Sequence, residues 1–222
     1  MKQILWFRRD LRVADSAILS FAKDEVLPIF IFDKNILDLL DKNDKRVTFI
    51  YKSVLKLKED LKSLGLDLAI FYSTPKEVFE SFKNQGFDSI LCSVDFDKYA
   101  KKRDEEISKI IPIQTFFDSF ITHPNDCLKA DKTPYKVFTP YYNNLEFIWN
   151  SYRLEEFETN KNLKLIPFDY SKVPTLEDLG FISQNLPSFL QKSADELIED
   201  FAMKIDNYKV DRDFFDKDAT SS

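Results

Sequence analysis

The sequence predicts an α/β protein: a doubly wound (Rossmann-like) five-stranded parallel sheet flanked by helices, followed by a connector and a terminal helix. Two observations support this fold class. Five short apolar runs alternate with segments of helical periodicity over the first 117 residues, at spacings that suit right-handed crossover units. Each run ends abruptly in polar or charged residues, as buried strands do at the edge of a sheet. The predicted strands are residues 4–7, 26–32, 66–72, 89–94 and 111–117.

Composition and charge restrict the class of protein further. The chain has 222 residues, of which 44% are hydrophobic and 32% charged, as in a globular protein with a sizeable core. No run approaches the roughly 18 apolar residues of a membrane helix. The first residues also lack the pattern of a secretory signal, so a cytoplasmic location is expected. The net charge of −6 provides no general attraction to nucleic acid.

The counts of cysteine, histidine and glycine argue against several kinds of site. Cys92, Cys127 and His123 are too few for a disulfide framework or a Cys/His zinc site. The three glycines form neither GxGxxG nor GxxxxGK[ST]. A conventional glycine-rich cradle for nucleotide phosphates is therefore absent.

The first predicted strand runs directly into a charged loop containing Arg8, Arg9, Asp10 and Arg12. In open α/β sheets, ligands bind outside the carboxyl ends of the strands, so this loop is a candidate binding site. Arg9 and Arg12 are the candidate pocket walls, whereas Arg8 and Asp10 are expected to tie the loop to the sheet. Asp15 is predicted to cap a short helix after the loop.

The second strand and the long helix after it have distinct signals. Pro28 lies inside the strand and argues against regular pairing there, and Asp33 follows at the carboxyl end. A helix is predicted over about residues 44–64, with Gly65 as its left-handed cap. Its apolar stripe, at steps of three and four, is Val47, Ile50, Val54, Leu57, Leu61 and Leu64.

Two further helices begin at recognisable sites. Thr74 and Glu77 form a predicted capping box, with Pro75 at the first helical position. Asp95 and Asp97 follow the fourth strand and open a charged helix.

The pattern changes after residue 117. In residues 132–142, aromatics and prolines alternate with lysines. Such a segment could stack bases and contact phosphates, but an aromatic hinge that packs onto the sheet is the favoured interpretation. A second capping box, Ser193 with Glu196, opens the last helix. The apolar side of that helix is predicted to carry Leu197, Phe201, Ile205 and Tyr208.

Three segments together resemble the DNA photolyase and cryptochrome family. They are WFRRDLR at residues 6–12, TPYKVFTPYY at 133–142 and NYKVDRDFFDKDATSS at 207–222. In order and spacing, the resemblance covers essentially the whole chain. It implies an antenna domain over residues 1–130, a connector over 131–192, and the first helix and turn of a helical FAD-binding domain over 193–222. The chain is expected to stop where that missing domain begins.

The family resemblance also implies an activity for the full-length parent: a deoxyribodipyrimidine photolyase that uses blue light and FAD to split pyrimidine dimers in UV-damaged DNA. Tyr208, Thr220 and Ser221 match FAD-binding positions, and Arg212 matches a position that faces DNA. The alternatives within this chain are helix packing for Tyr208 and a frayed tail for Thr220 and Ser221. We therefore expect this chain alone neither to retain FAD nor to repair DNA.

The resemblance places an antenna pigment near the carboxyl ends of the strands. The candidate residues for this site are Arg9, Arg12, Phe32, Asp33, Arg46, Asp95 and Asp97. Folate-binding members often carry Asn-Glu where this chain has Tyr99 and Ala100, which favours deazaflavin or flavin over folate, or an empty site. Helix capping is an equal alternative for Asp95 and Asp97, and a structural role is favoured for Arg46.

Two other functions are compatible with the sequence. A cryptochrome-type blue-light receptor would have the same fold and flavin, with the distinguishing residues in the missing domain. A stand-alone nucleotide-binding module of the electron-transfer-flavoprotein or stress-protein kind is the alternative from another class. The absence of a glycine-rich phosphate loop counts against the second alternative.

Overall fold

The computed structural model describes residues 1–120, 122–149, 156–217 and 219. Short 3₁₀ turns occur at Ser188–Gln191, Ile205–Asn207 and Phe215–Lys217. The strands and helices in chain order are β1 (Lys2–Phe7), α1 (Ala17–Phe21), β2 (Glu25–Asp33), α2 (Lys34–Leu37), α3 (Lys45–Ser63), β3 (Ala69–Ser73), α4 (Pro75–Phe82), β4 (Ser89–Ser93), α5 (Lys98–Ser108), β5 (Ile113–Phe116), α6 (Phe138–Trp149), β6 (Lys164–Leu165), α7 (Ala194–Ala202) and α8 (Tyr208–Asp211).

The sheet confirms the predicted fold class. Five parallel strands lie in the order β3-β2-β1-β4-β5, and all of the predicted strands are present. A sixth strand, β6, pairs in parallel with the start of β2 and comes from the predicted connector. Its two residues are too few to give a periodic signal in the sequence. One face of the sheet packs on α4 and α5, with Trp6, Ile29, Phe79, Phe82 and Ile107 in the buried cluster.

Pro28 is accommodated by a gap between two neighbours of β2. Strand β1 pairs with β2 through Pro28 without interruption, so the predicted irregularity is not found on that side. On the other side, β6 pairs with residues 25–26 and β3 begins pairing at Ile29. On that side, the backbone N–H of Ile166 donates to the carbonyl of Val26. Residues two apart in a strand direct their backbone groups to the same side, so the nitrogen of Pro28 faces this side as well. The missing N–H of the proline thus falls where no ladder partner is needed.

The long helix α3 is close to its predicted limits, and Gly65 follows with φ of 76°. Within the predicted stripe, four residues are buried, but Ile50 and Leu64 are exposed. The capping box of Thr74 and Glu77 is confirmed at α4.

Asp15 does not cap α1, contrary to prediction. The N-cap is Ser16, without a side-chain cap bond. Asp15 has φ of 49°, and its carboxylate accepts a hydrogen bond from the backbone N–H of Phe157. The donor to this carboxylate lies 142 positions away in the chain, so the sequence around Asp15 could not indicate the contact.

The chain divides into two compact units, which are described separately. The first comprises Met1–Leu40 and Ser53–Thr175, and the second comprises Asp41–Lys52 and Leu176–Ser222. In the first unit, α6 has no buried residue, contrary to the interpretation that this aromatic segment packs onto the sheet. The domain boundaries at 130 and 192 stay predictions.

In the second unit, the capping box of Ser193 and Glu196 opens α7 as predicted. The helix ends at Ala202, however, and does not continue to Tyr208. A 3₁₀ turn and the four-residue α8 follow instead.

Candidate functional site

The carboxyl ends of β1 and β4 form the topological switch point of the sheet. Strands β2 and β3 continue from β1 in one direction, and β4 and β5 continue in the other. Ligands of doubly wound sheets bind in the crevice at such a point. Here the loop after β1 and the loop after β4 lie side by side, and they bring together three of the predicted antenna residues.

Arg9 joins the two loops through paired carboxylates. Its Nε lies 3.0 Å from Asp95 Oδ2, and an Nη lies 3.1 Å from Asp97 Oδ2. Asp97 also caps α5 by accepting from the backbone N–H of Ala100. That bond and the guanidinium of Arg9 lower the pKa of Asp97. The side chain of Arg9 is 67% exposed, so its outer surface remains available at the edge of the sheet.

Arg8 points inward and supports the sheet. Its guanidinium donates to Asp104 Oδ2 at 2.8 Å and to the Cys92 sulfur, and it lies 4.2 Å from the centre of the Trp6 ring. Burial raises the pKa of the Cys92 thiol to about 11, so this cysteine is an uncharged core residue at neutral pH. The expected role of Arg8 in tying the loop to the sheet agrees with these contacts.

A buried polar group beneath the loop involves Asp10, Ser93 and Asp118. The Ser93 hydroxyl lies 2.7 Å from Asp10 Oδ2 and 2.6 Å from Asp118 Oδ1. Asp10 also accepts from the backbone N–H of Arg8 at 2.9 Å. Arg12 donates to the backbone carbonyls of Asp15 and Asp118, with the carboxylate of Asp118 at 3.5 Å. Arg12 therefore holds the loops after β1 and β5 together.

Asp33 lies at the end of β2, and its carboxylate has two identified donors. It accepts from the backbone N–H of Asn35 at 3.0 Å and from the hydroxyl of Tyr99. The amide of Asn35 in turn donates to the Tyr99 oxygen at 3.2 Å. Burial and the hydrogen bond to Asp33 raise the pKa of Tyr99 to about 12. Tyr99 and Asp33 thus link α5 to the carboxyl end of β2.

Two predicted antenna residues lie outside these contacts. Phe32 is buried, with its ring 4.9 Å from that of Phe30. Arg46 belongs to the second unit, where its exposed guanidinium pairs with Asp44. The structure therefore brings Arg9, Asp95 and Asp97 into one cluster, with Asp33 beside Tyr99, and assigns Arg46 a local ion pair.

The predicted FAD-binding and DNA-binding positions are only partly described. Thr220 and Ser221 lie outside the described residues. The ring of Tyr208 packs against Phe201 at 5.7 Å, and the guanidinium of Arg212 lies 5.9 Å from the Tyr208 ring. Tyr208 is therefore the sole member of the predicted FAD set whose surroundings are known, and those surroundings are helix packing.

Two crevices of different size occur at the carboxyl edge of the first unit. We call the first the switch-point crevice; it measures about 10 Å³ and is lined by Arg8, Arg9, Ser93, Val94, Asp95 and Ser119. We call the second the Tyr99 pocket; it measures about 270 Å³ and is lined by Asn35, Pro75, Lys76, Tyr99, Lys102, Arg103, Glu106 and Ile107. The paired side chains fill the switch-point crevice, so a pigment does not fit in it as these residues now stand.

The residues of the Tyr99 pocket are not recognisable as a set from the sequence. They come from three segments, around Asn35, Lys76 and Tyr99, and in the sequence each reads as ordinary helix surface. The order of the strands was the available signal, because it places the starts of α4 and α5 on one edge of the sheet.

Two other kinds of site are not found in the part of the chain that the structure describes. No three His, Cys, Asp or Glu side chains there come close enough to hold a metal ion. No helix there has the length and apolar character needed to cross a membrane.

Comparison with known proteins finds a family and several relatives. The model of the family described as DNA photolyase matches residues 3–159. A deoxyribodipyrimidine photo-lyase of Alkalihalophilus pseudofirmus is 30% identical over 154 residues, which is 62% of this chain and 31% of that relative.

Solved structures show the same fold. A cryptochrome of Synechocystis superposes with a TM-score of 0.76 at 19% identity, over 94% of this chain and 48% of the other. An archaeal photolyase of Sulfolobus tokodaii, described as containing two FAD molecules, has a TM-score of 0.66 at 23% identity. The superposition covers 90% of this chain and 46% of the Sulfolobus chain. The chain thus spans about a third to a half of the length of each of these three relatives.

Proposed function

Because the chain belongs to the DNA photolyase family, we propose that it is the N-terminal light-harvesting part of a deoxyribodipyrimidine photolyase. The observation that carries this proposal is the match of the family model to residues 3–159, which includes the parallel sheet except for Lys2 and β6. The relatives extend well beyond the length of this chain. We propose that most of the catalytic FAD site of this enzyme lies in the part of the relatives that this chain does not match.

An antenna pigment is proposed at the carboxyl edge of the sheet. Arg9, with Asp95 and Asp97, and Asp33, with Tyr99, offer charged and hydrogen-bonding groups at that edge. A flavin or deazaflavin is favoured over folate, because Tyr99 and Ala100 replace the Asn-Glu pair of folate-binding members. The two FAD molecules described for the Sulfolobus relative support the choice of a flavin. The small switch-point crevice implies that the Arg9 ion pairs open when a pigment enters.

The remaining proposed roles concern FAD and damaged DNA. FAD, when bound to the full-length protein, supplies light-driven electron transfer to the lesion. The lesion must leave the stack of bases to reach it. Tyr208, Thr220 and Ser221 are proposed to contact FAD, and Arg212 is proposed to contact DNA. The side chain of Arg212 is about half exposed, and its guanidinium lies 3.9 Å from Asp213, so a phosphate could displace that weak pair.

Photoreactivation tests the proposed enzyme directly. The full-length protein that carries this chain is produced in a photolyase-deficient bacterium, which is irradiated with UV and then exposed to blue light or kept dark. We expect survival to recover only in blue light. Flavin bound to the full-length protein without any recovery would contradict the photolyase proposal.

A cryptochrome-type receptor is the second candidate, and the Synechocystis cryptochrome favours it, since its fold is at least as similar as that of the Sulfolobus photolyase. It predicts a flavin-containing full-length protein whose absorption changes in blue light, without repair of DNA. The same photoreactivation assay therefore separates the two functions. The match to the family model gives no support to the stand-alone nucleotide-binding module.

A further inference from the structure

Asp10, Ser93 and Asp118 come from three separate segments and meet beneath the carboxyl edge of the sheet. Asp10 lies in the loop after β1, Ser93 ends β4, and Asp118 follows β5. Asp10 is 2% and Ser93 5% exposed, and the side chain of Asp118 is 0% exposed. The polar atoms of this group, which we call the Ser93 bridge, therefore find their partners within the protein.

The hydroxyl of Ser93 lies within hydrogen-bonding distance of both carboxyl groups but has only one proton to donate. Its oxygen is 2.7 Å from Asp10 Oδ2 and 2.6 Å from Asp118 Oδ1. The hydroxyl can donate to one of these oxygens, and an ionised carboxylate can only accept. If both carboxyl groups were ionised, two oxygen atoms would lie at hydrogen-bonding distance with no proton between them. A second proton in the Ser93 bridge removes this conflict.

The other donors around the two carboxyl groups show on which side this proton lies. Asp118 has three further donors: the backbone N–H of Ala17 at 3.1 Å, the hydroxyl of Ser119 at 3.2 Å and the guanidinium of Arg12 at 3.5 Å. Asp10 Oδ1 accepts from the backbone N–H of Arg8 at 2.9 Å, and its Oδ2 contacts the Ser93 hydroxyl. Donors stabilise the ionised form, so Asp118 holds the negative charge and Ser93 donates to it. Asp10 Oδ2 is then the oxygen that carries the proton.

The charged groups around the Ser93 bridge favour the same state. Among the described residues, Arg12 is the one cation with a contact to either carboxyl group. The other ionisable side chains at this edge have partners of their own: Arg8 with Asp104 and Cys92, and Arg9 with Asp95 and Asp97. The thiol of Cys92 is uncharged at neutral pH. Two ionised carboxylates buried close together repel each other, and one proton between them relieves the repulsion.

We propose that Asp10 and Asp118 share one proton at neutral pH, held between Asp10 and the hydroxyl of Ser93. Asp10 donates to Ser93, and Ser93 donates to Asp118, so each of the two short oxygen–oxygen contacts contains one proton. The loops after β1 and β5 are thereby joined to the end of β4. At alkaline pH the proton is lost, both carboxylates are ionised, and their repulsion weakens the bridge. The proposal does not depend on the light-driven activity proposed above.

The shared proton couples folding to pH. Aspartates of an unfolded chain lose their protons near about pH 4, so at neutral pH the folded protein binds one proton more than the unfolded protein. Stability therefore falls as the pH rises, and this proton alone lowers the equilibrium constant for folding about tenfold per pH unit. Asp10→Asn places an uncharged amide donor where the protonated carboxyl group lies, and the amide does not titrate. Asp41→Asn, which changes an exposed carboxylate, is the control.

The first measurement is unfolding by urea between pH 6 and pH 8. Over this range, the folding constant of the wild type should fall about a hundredfold more than that of Asp10→Asn, and Asp41→Asn should follow the wild type. The second measurement is the infrared C=O stretching band of a protonated carboxyl group, which an ionised carboxylate lacks. We expect this band at pH 7 and expect it to shift in protein labelled with carbon-13 at the aspartate carboxyl groups. Asp10→Asn and Asp118→Asn each remove one member of the pair and should lack the band.

Equal pH dependence of the wild type and Asp10→Asn would overturn the proposal. So would a labelled wild-type spectrum without the band at pH 7, and so would a band that either variant retains. The wild-type spectrum decides the question even if a variant does not fold. None of these results bears on photoreactivation by the full-length protein, so failure of the shared proton and failure of the proposed enzyme are distinguishable.

Discussion

The switch-point crevice and the Tyr99 pocket lie at the same edge of one sheet but differ in how far their charges are paired. In the crevice, Arg9 lies against two carboxylates, and about 10 Å³ remains. In the pocket, Arg103 shares its hydrogen bond to the carboxylate of Asp104 with Arg8, and about 270 Å³ remains. The difference shows that a strand order favourable for binding does not by itself leave room for a ligand. Local charge pairing decides which part of the edge stays open.

Arg8→Met tests the buried arginine at this edge, in contrast to the exposed Arg9, and should lower the stability of the fold most. It removes a partner of Asp104, a contact with Cys92 and a contact with the Trp6 ring. We expect a loss of about 3 kcal/mol in the free energy of unfolding, measured by urea denaturation. Arg9→Met, at the exposed neighbour, is the control. Equal losses for the two variants would show that burial does not separate their roles.

Ser93→Ala should have the next largest effect. The hydroxyl of Ser93 lies between the buried carboxylates of Asp10 and Asp118 at the base of the crevice. Each carboxylate keeps a backbone donor, Arg8 for Asp10 and Ala17 for Asp118, but removal of the hydroxyl takes away the one group that bridges them. The loss of this charged hydrogen bond should cost about 2 kcal/mol in unfolding free energy. Ser108→Ala, at an exposed hydroxyl that donates to a helix carbonyl, is the control. A stability equal to that of the wild type would show that water replaces the hydroxyl at no cost.

Tyr99→Phe should have a moderate effect that depends on pH. The change removes the hydrogen bond to Asp33 and should cost about 1 kcal/mol near neutral pH. The pKa of Tyr99 is raised to about 12 in the folded protein, so the fold favours the neutral hydroxyl. That stabilisation is complete below pH 10 and is lost as the pH rises through 12.

The measurement for Tyr99 is the unfolding free energy from pH 8 to pH 12. The difference between the wild type and Tyr99→Phe should shrink at the alkaline end. Cys92, with a pKa of about 11, titrates in the same range in both proteins and cancels in the difference. A difference that stays constant over the whole range would contradict the role assigned to the Tyr99 hydroxyl.

Arg9→Gln should have the smallest effect on stability. Its side chain is largely exposed, so the two ion pairs contribute less than about 1 kcal/mol and weaken further in salt. The unfolding free energy should therefore fall slightly in 50 mM salt and scarcely at all in 500 mM salt. A loss that high salt leaves unchanged would point to a packing role for Arg9.

The features that could be predicted from sequence are those set by neighbouring residues. The strands, the capping boxes at Thr74 and Ser193, and the left-handed Gly65 all follow from local patterns. The family resemblance grouped Arg9 with Asp95 and Asp97 in one candidate site, and the structure brings these three side chains into contact at the carboxyl edge of the sheet.

The contacts that could not be predicted join residues far apart in the chain. Tyr99 and Asp33 are 66 positions apart, and Arg8 and Asp104 are 96 apart, so their pairing depends on how α5 packs on the sheet. The spacing of apolar residues also does not show where a helix is interrupted, if the apolar pattern continues past the interruption. The helix expected to reach Tyr208 ends at Ala202 for this reason.

The setting of Trp6 also gives the protein an internal optical reporter. The chain has two tryptophans, and the other, Trp149, is 39% exposed, whereas Trp6 is 2% exposed. A water-soluble quencher such as acrylamide should therefore suppress the emission of Trp149 first and leave that of Trp6. The guanidinium groups of Arg8 and Arg103 lie against the Trp6 indole, so the residual emission should shift when the charge of either arginine is removed or neutralised. The wavelength of that emission would then report the charge state of these two arginines without any added label.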